Sequence, residues 1–249
     1  MGGLFYNLGR KVGPKLRKAR WMWESLAGNE ADAIRTEHGV GLDLAHEARK
    51  QLQLDLELRT RQVLDEVGYR LAARVSNKLR SFHFDGFTSV EPNAFALPGG
   101  FIFISRSIME LCGWDRNEVA FILAHEMGHV IHGHAIERII ASTAISAASR
   151  AAPIRGALGG WLQTVGIQFL QTAYSRAHEL EADRLGVRLL MAAGFDPEGS
   201  LRLLTRLAEL KNKSAEPLDL GEYFSTHPTS EIRMEAIRRF LAAKQERLP

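Results

Sequence analysis

The chain has 249 residues, 45% of them hydrophobic and 24% charged, which suits one globular domain or one domain with a helical appendage. A single cysteine, Cys112, excludes an internal disulfide and any thiolate-rich zinc site, so a metal here must be held by His, Asp or Glu. The net charge of +3 has its source at the N-terminus, where Arg10, Lys11, Lys15, Arg17, Lys18 and Arg20 meet no acid; the slightly acidic remainder gives no case for nucleic-acid binding.

Residues 1–28 read as a basic amphipathic arm. Val12, Leu16, Ala19, Trp23 and Leu26 fall on one helical stripe flanked by lysines and arginines. Such a stripe lies in a membrane interface or packs on its own domain or a dimer partner. No secretory signal peptide precedes it. The longest uncharged run, Gly156 to Ser175, holds three glutamines and four glycines and is too polar to span a bilayer easily. The expected location is cytoplasmic, with peripheral membrane contact through residues 10–27 or 139–175, or periplasmic if the N-terminus has been trimmed.

Residues 29–80 read as mostly helical, capped by Asn29 and broken or kinked at Gly39-Val40-Gly41. Leu58, Val63, Leu64, Val67, Leu71, Val75 and Leu79 sustain a second helical stripe. From Ser81 the character changes. Phe82, Phe84, Phe87 and Val90 favour strand, punctuated by Asp85-Gly86, and Asn93–Leu97 and Phe101–Ser105 form a hairpin across Pro98-Gly99-Gly100. A short helix follows from Ser105 to Cys112. Asp115, with Glu118 three residues on, caps the next helix, whose Val119, Ile122, Leu123, Met127, Val130 and Ile131 give a broad apolar face.

That helix carries His125-Glu126-Met127-Gly128-His129. Histidines at i and i+4 share one face and can ligate one zinc ion, with Glu126 leaning toward the open position as general base. His132 lies two turns beyond His125, too far along an intact helix to join the same metal, and His134 suffers similarly; both read as helix-surface groups. His132 and Ala135 stand where a metzincin has glycine and histidine.

The acid-free stretch from Arg138 to His178 reads as a lid, a membrane-touching loop or two plain buried helices. Residues 164–193 resume a helix that ends at Gly194. There Glu179 and Asp183 share a face, so Glu179 can ligate while Asp183 accepts a hydrogen bond from a ligand histidine. Glu181 points elsewhere and is the weaker candidate. A helix from Pro197 to about Lys211, a polar connection, and Thr226-His227-Pro228-Thr229 leading into a last helix complete the chain.

Together, His125-Glu-Met-Gly-His129, Ser175-Arg176 leading to Glu179-x-x-x-Asp183, His227-Pro228 with Arg233, and Asn93-Ala-Phe-Ala-Leu-Pro-Gly-Gly100 resemble the zinc metallopeptidase family of HtpX, BepA and the CAAX prenyl proteases. The likeness runs over roughly residues 35–247 and is nearest the soluble, single-domain members. It implies a mostly helical α+β zincin-like domain over residues 29–249, with a small β-sheet beside the metal-binding helix. It implies one zinc held by His125, His129 and Glu179, with Asp183 behind them.

The resemblance also implies an edge strand at Asn93, Ala94, Phe95 and Ala96, with Gly99 and Gly100 beyond it, where a polypeptide substrate could add as a further strand. His227 would approach the zinc and shut the site, or help stabilise the oxyanion, or merely enter a helix. Arg233 would stabilise substrate charge or pair with an acid. The expected function is a zinc-dependent metalloendopeptidase acting in protein quality control. The alternative is a chaperone-like or peptide-binding module of the same fold with little proteolysis.

Overall fold

Asn29 opens the computed structural model, which describes residues 29–138, 173–213, 227 and 231–245. Its side chain accepts from the Asp32 amide (3.0 Å) and so caps α1, Glu30–Gln51. This helix runs unbroken through Gly39-Val40-Gly41, against expectation. A Cβ at Gly41 would collide with the Pro98 carbonyl, so the glycine permits close approach of the helix to the turn below rather than a break. Glu37, one turn before, is 5% exposed; it accepts from the Gly99 amide (3.1 Å) and pairs with Arg80 (3.1 Å).

Helix α2, Leu58–Ala72, follows, and Leu79 lies beyond its end and is exposed. Three strands come next: β1 (His83–Phe87), β2 (Ala94–Leu97) and β3 (Phe101–Ser105), in the order β1-β3-β2. The expected hairpin pairs β2 antiparallel to β3, from Ala94↔Ile104 to Leu97↔Phe101. β1 lies parallel to β3 and runs straight through Asp85-Gly86. Gly86 is a packing position, since a Cβ there would press on the Thr60 methyl, and Asp85 is held by Arg49 (2.7 Å).

β2 and β3 are buried on both faces, which is why they read as near-continuous apolar runs, while β1 is buried only at Gly86 and Phe87. Side chains alternate along a strand. Ala94, Ala96, Ile102 and Ile104 enter the main core, while Phe95, Leu97, Phe101 and Phe103 pack with Leu44, Ala45 and Ala48 of α1.

Ser105 caps α3, Arg106–Leu111. Asp115 caps α4, Arg116–Ile131, accepting from the amides of Asn117 (2.8 Å) and Glu118 (3.0 Å). Residues 118–130 of α4 are all buried, so this helix forms the centre of the core. Against it lies α5, Arg176–Ala192, which starts at its Ser175 cap rather than at 164. The two helices approach closely because Gly128 faces the Ala182 backbone and Gly186 faces the His125 amide. Helices α6 (Glu198–Lys213) and α7 (Glu231–Gln245) close the far side. The basic arm, and all but residues 173–175 of the 139–175 segment, lie outside the described residues.

Candidate metal centre

Helix α4 presents His125, Glu126 and His129, all fully buried. Helix α5 brings up Glu179 and, one turn on, Asp183, both 1% exposed. His227, also 1% exposed, completes the group just ahead of α7. His125 Nε2 lies 3.1 Å from His129 Nε2 and 3.2 Å from His227 Nδ1. Glu179 Oε1 is 3.3 Å from His129 Nε2 and 3.1 Å from His227 Nδ1, and its Oε2 is 3.6 Å from His125 Nε2.

These four side chains, His125, His129, Glu179 and His227, form the group among the described residues able to hold a metal ion. Bonds of about 2.0–2.1 Å to a tetrahedral zinc set its ligand atoms about 3.3 Å apart, close to the spacings found here. Three imidazoles and a carboxylate that meet through their lone pairs repel one another unless a cation lies between them. The donor set therefore fits zinc.

The surrounding charges support that set. His125 Nδ1 lies 3.0 Å from Asp183 Oδ1. Asp183 is gripped in turn by both arms of Arg233 (2.7 and 2.6 Å), whose remaining nitrogen lies 2.7 Å from Glu179 Oε2. Burial opposes ionisation of Glu179, yet His227, Arg233 and His125 together hold its carboxyl far below the usual carboxylate range. Burial pushes Glu126 the other way, above its ordinary value. Glu126 Oε1 is 3.2 Å from His227 Nε2, and its Oε2 has no hydrogen-bond partner among the described residues. Burial holds His129 well below its ordinary value.

Glu181, the weaker candidate, does not reach the cluster. Its side chain is 57% exposed and lies 3.1 Å from His134 Nε2. His134 is a correction: it is 3% exposed, not a surface group, and its Nδ1 lies 3.0 Å from His129 Nδ1. The helix ends at Ile131, and Gly133 at φ +76° breaks the helical path ahead of His134, so an intact-helix argument fails there. A glycine just past a histidine-rich helix end was the available signal. Tyr174 is the second residue the sequence reading missed. Its ring stacks on His129 at 3.7 Å between centroids, and the Arg138 guanidinium lies over the same ring at 4.4 Å from its centroid.

β2 is an edge strand of the sheet. Ala94, Phe95 and Ala96 are buried, and the Asn93 amide donates to Ser105 Oγ (2.8 Å). Gly99 and Gly100 have positive φ and pack against His38 and Ser81, so their small size serves the fold itself.

A buried His-x-x-x-His helix facing a carboxylate on a neighbouring helix, in a mostly helical α+β fold, defines a zincin-like metallopeptidase. The sequence matches peptidase family M48 over residues 58–241, and the chain belongs to that family. It is 33% identical over 158 residues to the mitochondrial metalloendopeptidase OMA1 of Schizosaccharomyces pombe, covering 62% of this chain and 45% of that protein. The Saccharomyces cerevisiae protein of the same name is 34% identical, covering 64% and 46%. The beta-barrel assembly-enhancing protease of Yersinia pestis is 28% identical over 194 residues, covering 71% of this chain and 38% of that protein. The chain thus spans less than half the length of these curated relatives.

Proposed function

We propose that the chain is a zinc metalloendopeptidase with Glu126 as general base. The observation that carries this is the convergence of His125, His129 and Glu179 on one point, with the Glu126 carboxylate beside it. Zinc held there would polarise the scissile carbonyl and make water a competent nucleophile near neutral pH. Glu126 takes the proton from the attacking water and passes it to the leaving amine nitrogen. Its upward-shifted pKa suits a group that must both accept and release a proton. Asp183 fixes the His125 ring, and Arg233 balances the two buried carboxylates, which supports a positioning role for it rather than contact with substrate.

His227 closes the site in this reading. Its ring bridges the ligand group and Glu126, where a substrate carbonyl must enter. A polypeptide substrate adds along β2 at Asn93–Ala96. The names of the relatives, a metalloendopeptidase and an assembly-enhancing protease, support endoproteolysis and a role in protein quality control. Among the described residues no helix is long and apolar enough to cross a membrane. Peripheral contact through the arm, residues 1–28, is tested by liposome flotation, where deleting residues 1–27 removes binding.

The shut site also favours a second reading, a peptide-binding module with little turnover. Casein cleavage by the zinc-loaded His227→Ala variant separates the two. The peptidase reading predicts faster cleavage than wild type, abolished by a chelator and restored by zinc. A variant that holds zinc and cleaves nothing supports the binding module.

A further inference from the structure

Beyond the metal group lies a short chain of polar contacts, running from the buried His129 out to the exposed Glu181, that the mechanism above does not use. His129 Nδ1 faces His134 Nδ1 at 3.0 Å, and His134 Nε2 faces Glu181 Oε2 at 3.1 Å. The rings of His178 and His132 stack along His134, at 4.0 and 5.4 Å between centroids, and hold its plane. The Glu181 side chain is exposed to solvent while that of His134 is almost wholly buried.

The geometry points to His134 as the positioning residue for His129, with Glu181 setting its tautomer. This rests on the reading of His129 as a metal ligand. If His129 Nε2 offers its lone pair to the cation, the proton of the neutral ring sits on Nδ1. That N–H meets His134 Nδ1, which must then accept. His134 consequently carries its own proton on Nε2, and the Glu181 carboxylate accepts it. The opposite tautomer of His134 would set two N–H groups against each other, or drive the His129 proton onto Nε2 and cancel its lone pair. The chain Glu181–His134–His129 thus matches the Arg233–Asp183–His125 arrangement on the first ligand.

Two measurements on the 249-residue chain test this. Long-range proton–nitrogen NMR of the zinc-loaded wild type is expected to show His134 protonated at Nε2 and His129 at Nδ1. A His134 proton on Nδ1, or on both nitrogens, overturns the proposal. Zinc affinity by chelator competition gives the second readout. His134→Leu keeps the bulk and loses the acceptor, and is expected to bind zinc about 10–100-fold more weakly. His134→Asn places an oxygen near the lost Nδ1 and should restore binding to within about threefold of wild type, a conservative rescue on that scale. Unchanged affinity in His134→Leu, or equal loss in both variants, overturns the positioning role. A wild-type protein that binds no zinc overturns the metallopeptidase reading instead.

Discussion

Arg233 shows how much of the site depends on charge balance. It is 1% exposed and binds Asp183 and Glu179 together. Removing it leaves two carboxylates buried without their cation, a change that costs about 3–5 kcal/mol in comparable buried pairs. Arg233→Ala is therefore expected to lower apo-protein stability in denaturant unfolding by that order, and zinc should recover more of the loss than it adds to wild type. An equal zinc effect in both proteins would show that the guanidinium is not the balancing charge. The pairing of these side chains was readable because a helix repeats every 3.6 residues: His125 with His129, and Glu179 with Asp183, each fall on one face. Glu181 fails the same rule and points away. Helical periodicity missed His134 and Tyr174, because they reach His129 from beyond the helix break at Gly133 and from just ahead of α5, and neither obeys a local period; for His134 the glycine was the only signal.

The elements were legible where a local chemical signal ends or starts them. Asp115 and Ser105 cap their helices as their side chains predict, and Gly194 at φ +75° ends α5. Glycines read as breaks were misread at Gly39–Gly41 and at Asp85–Gly86, because a glycine that admits a neighbouring backbone looks identical in sequence to one that bends a chain. The parallel partner of β1 was likewise invisible, since strand pairing is a long-range choice. The distinction is testable in α1. Gly41→Ala should raise helix propensity yet destabilise the protein by about 1–3 kcal/mol, because its methyl meets Pro98. A stabilised variant in thermal unfolding would mean that the approach to the turn is looser than described. At Gly128 the same argument couples packing to chemistry. A methyl there would push α4 from Ala182 of α5 and part His129 from Glu179, so Gly128→Ala should weaken zinc binding as well as stability.

At the scale of the whole molecule, two layers are tied together away from the metal. Asp55 accepts from Thr60 (2.6 Å), from the Glu57 amide (3.1 Å) and from Arg106, joining the start of α2 to the start of α3 at the β1 edge. The Arg106 hydrogen bond is the main cause that holds the Asp55 carboxyl down at about 2, against the opposing effect of burial. The folded value lies below the ordinary one of 3.8. Its stabilisation is therefore complete above that ordinary value and fades as pH falls from there toward about 2. Asp55→Asn should lower stability at neutral pH and flatten the loss across that acid range; an unchanged acid profile would show that Asp55 is not a significant contributor to it.

The whole molecule exists, in this account, to hold Glu126 beside a metal that His125, His129 and Glu179 retain without it. The most direct test is Glu126→Gln, purified with zinc and assayed on an unfolded protein substrate against wild type, both carrying His227→Ala so that the site is open. The account predicts stoichiometric zinc in both and cleavage reduced by at least about 10²–10⁴-fold in Glu126→Gln. Cleavage at the parent rate with zinc still bound would contradict it.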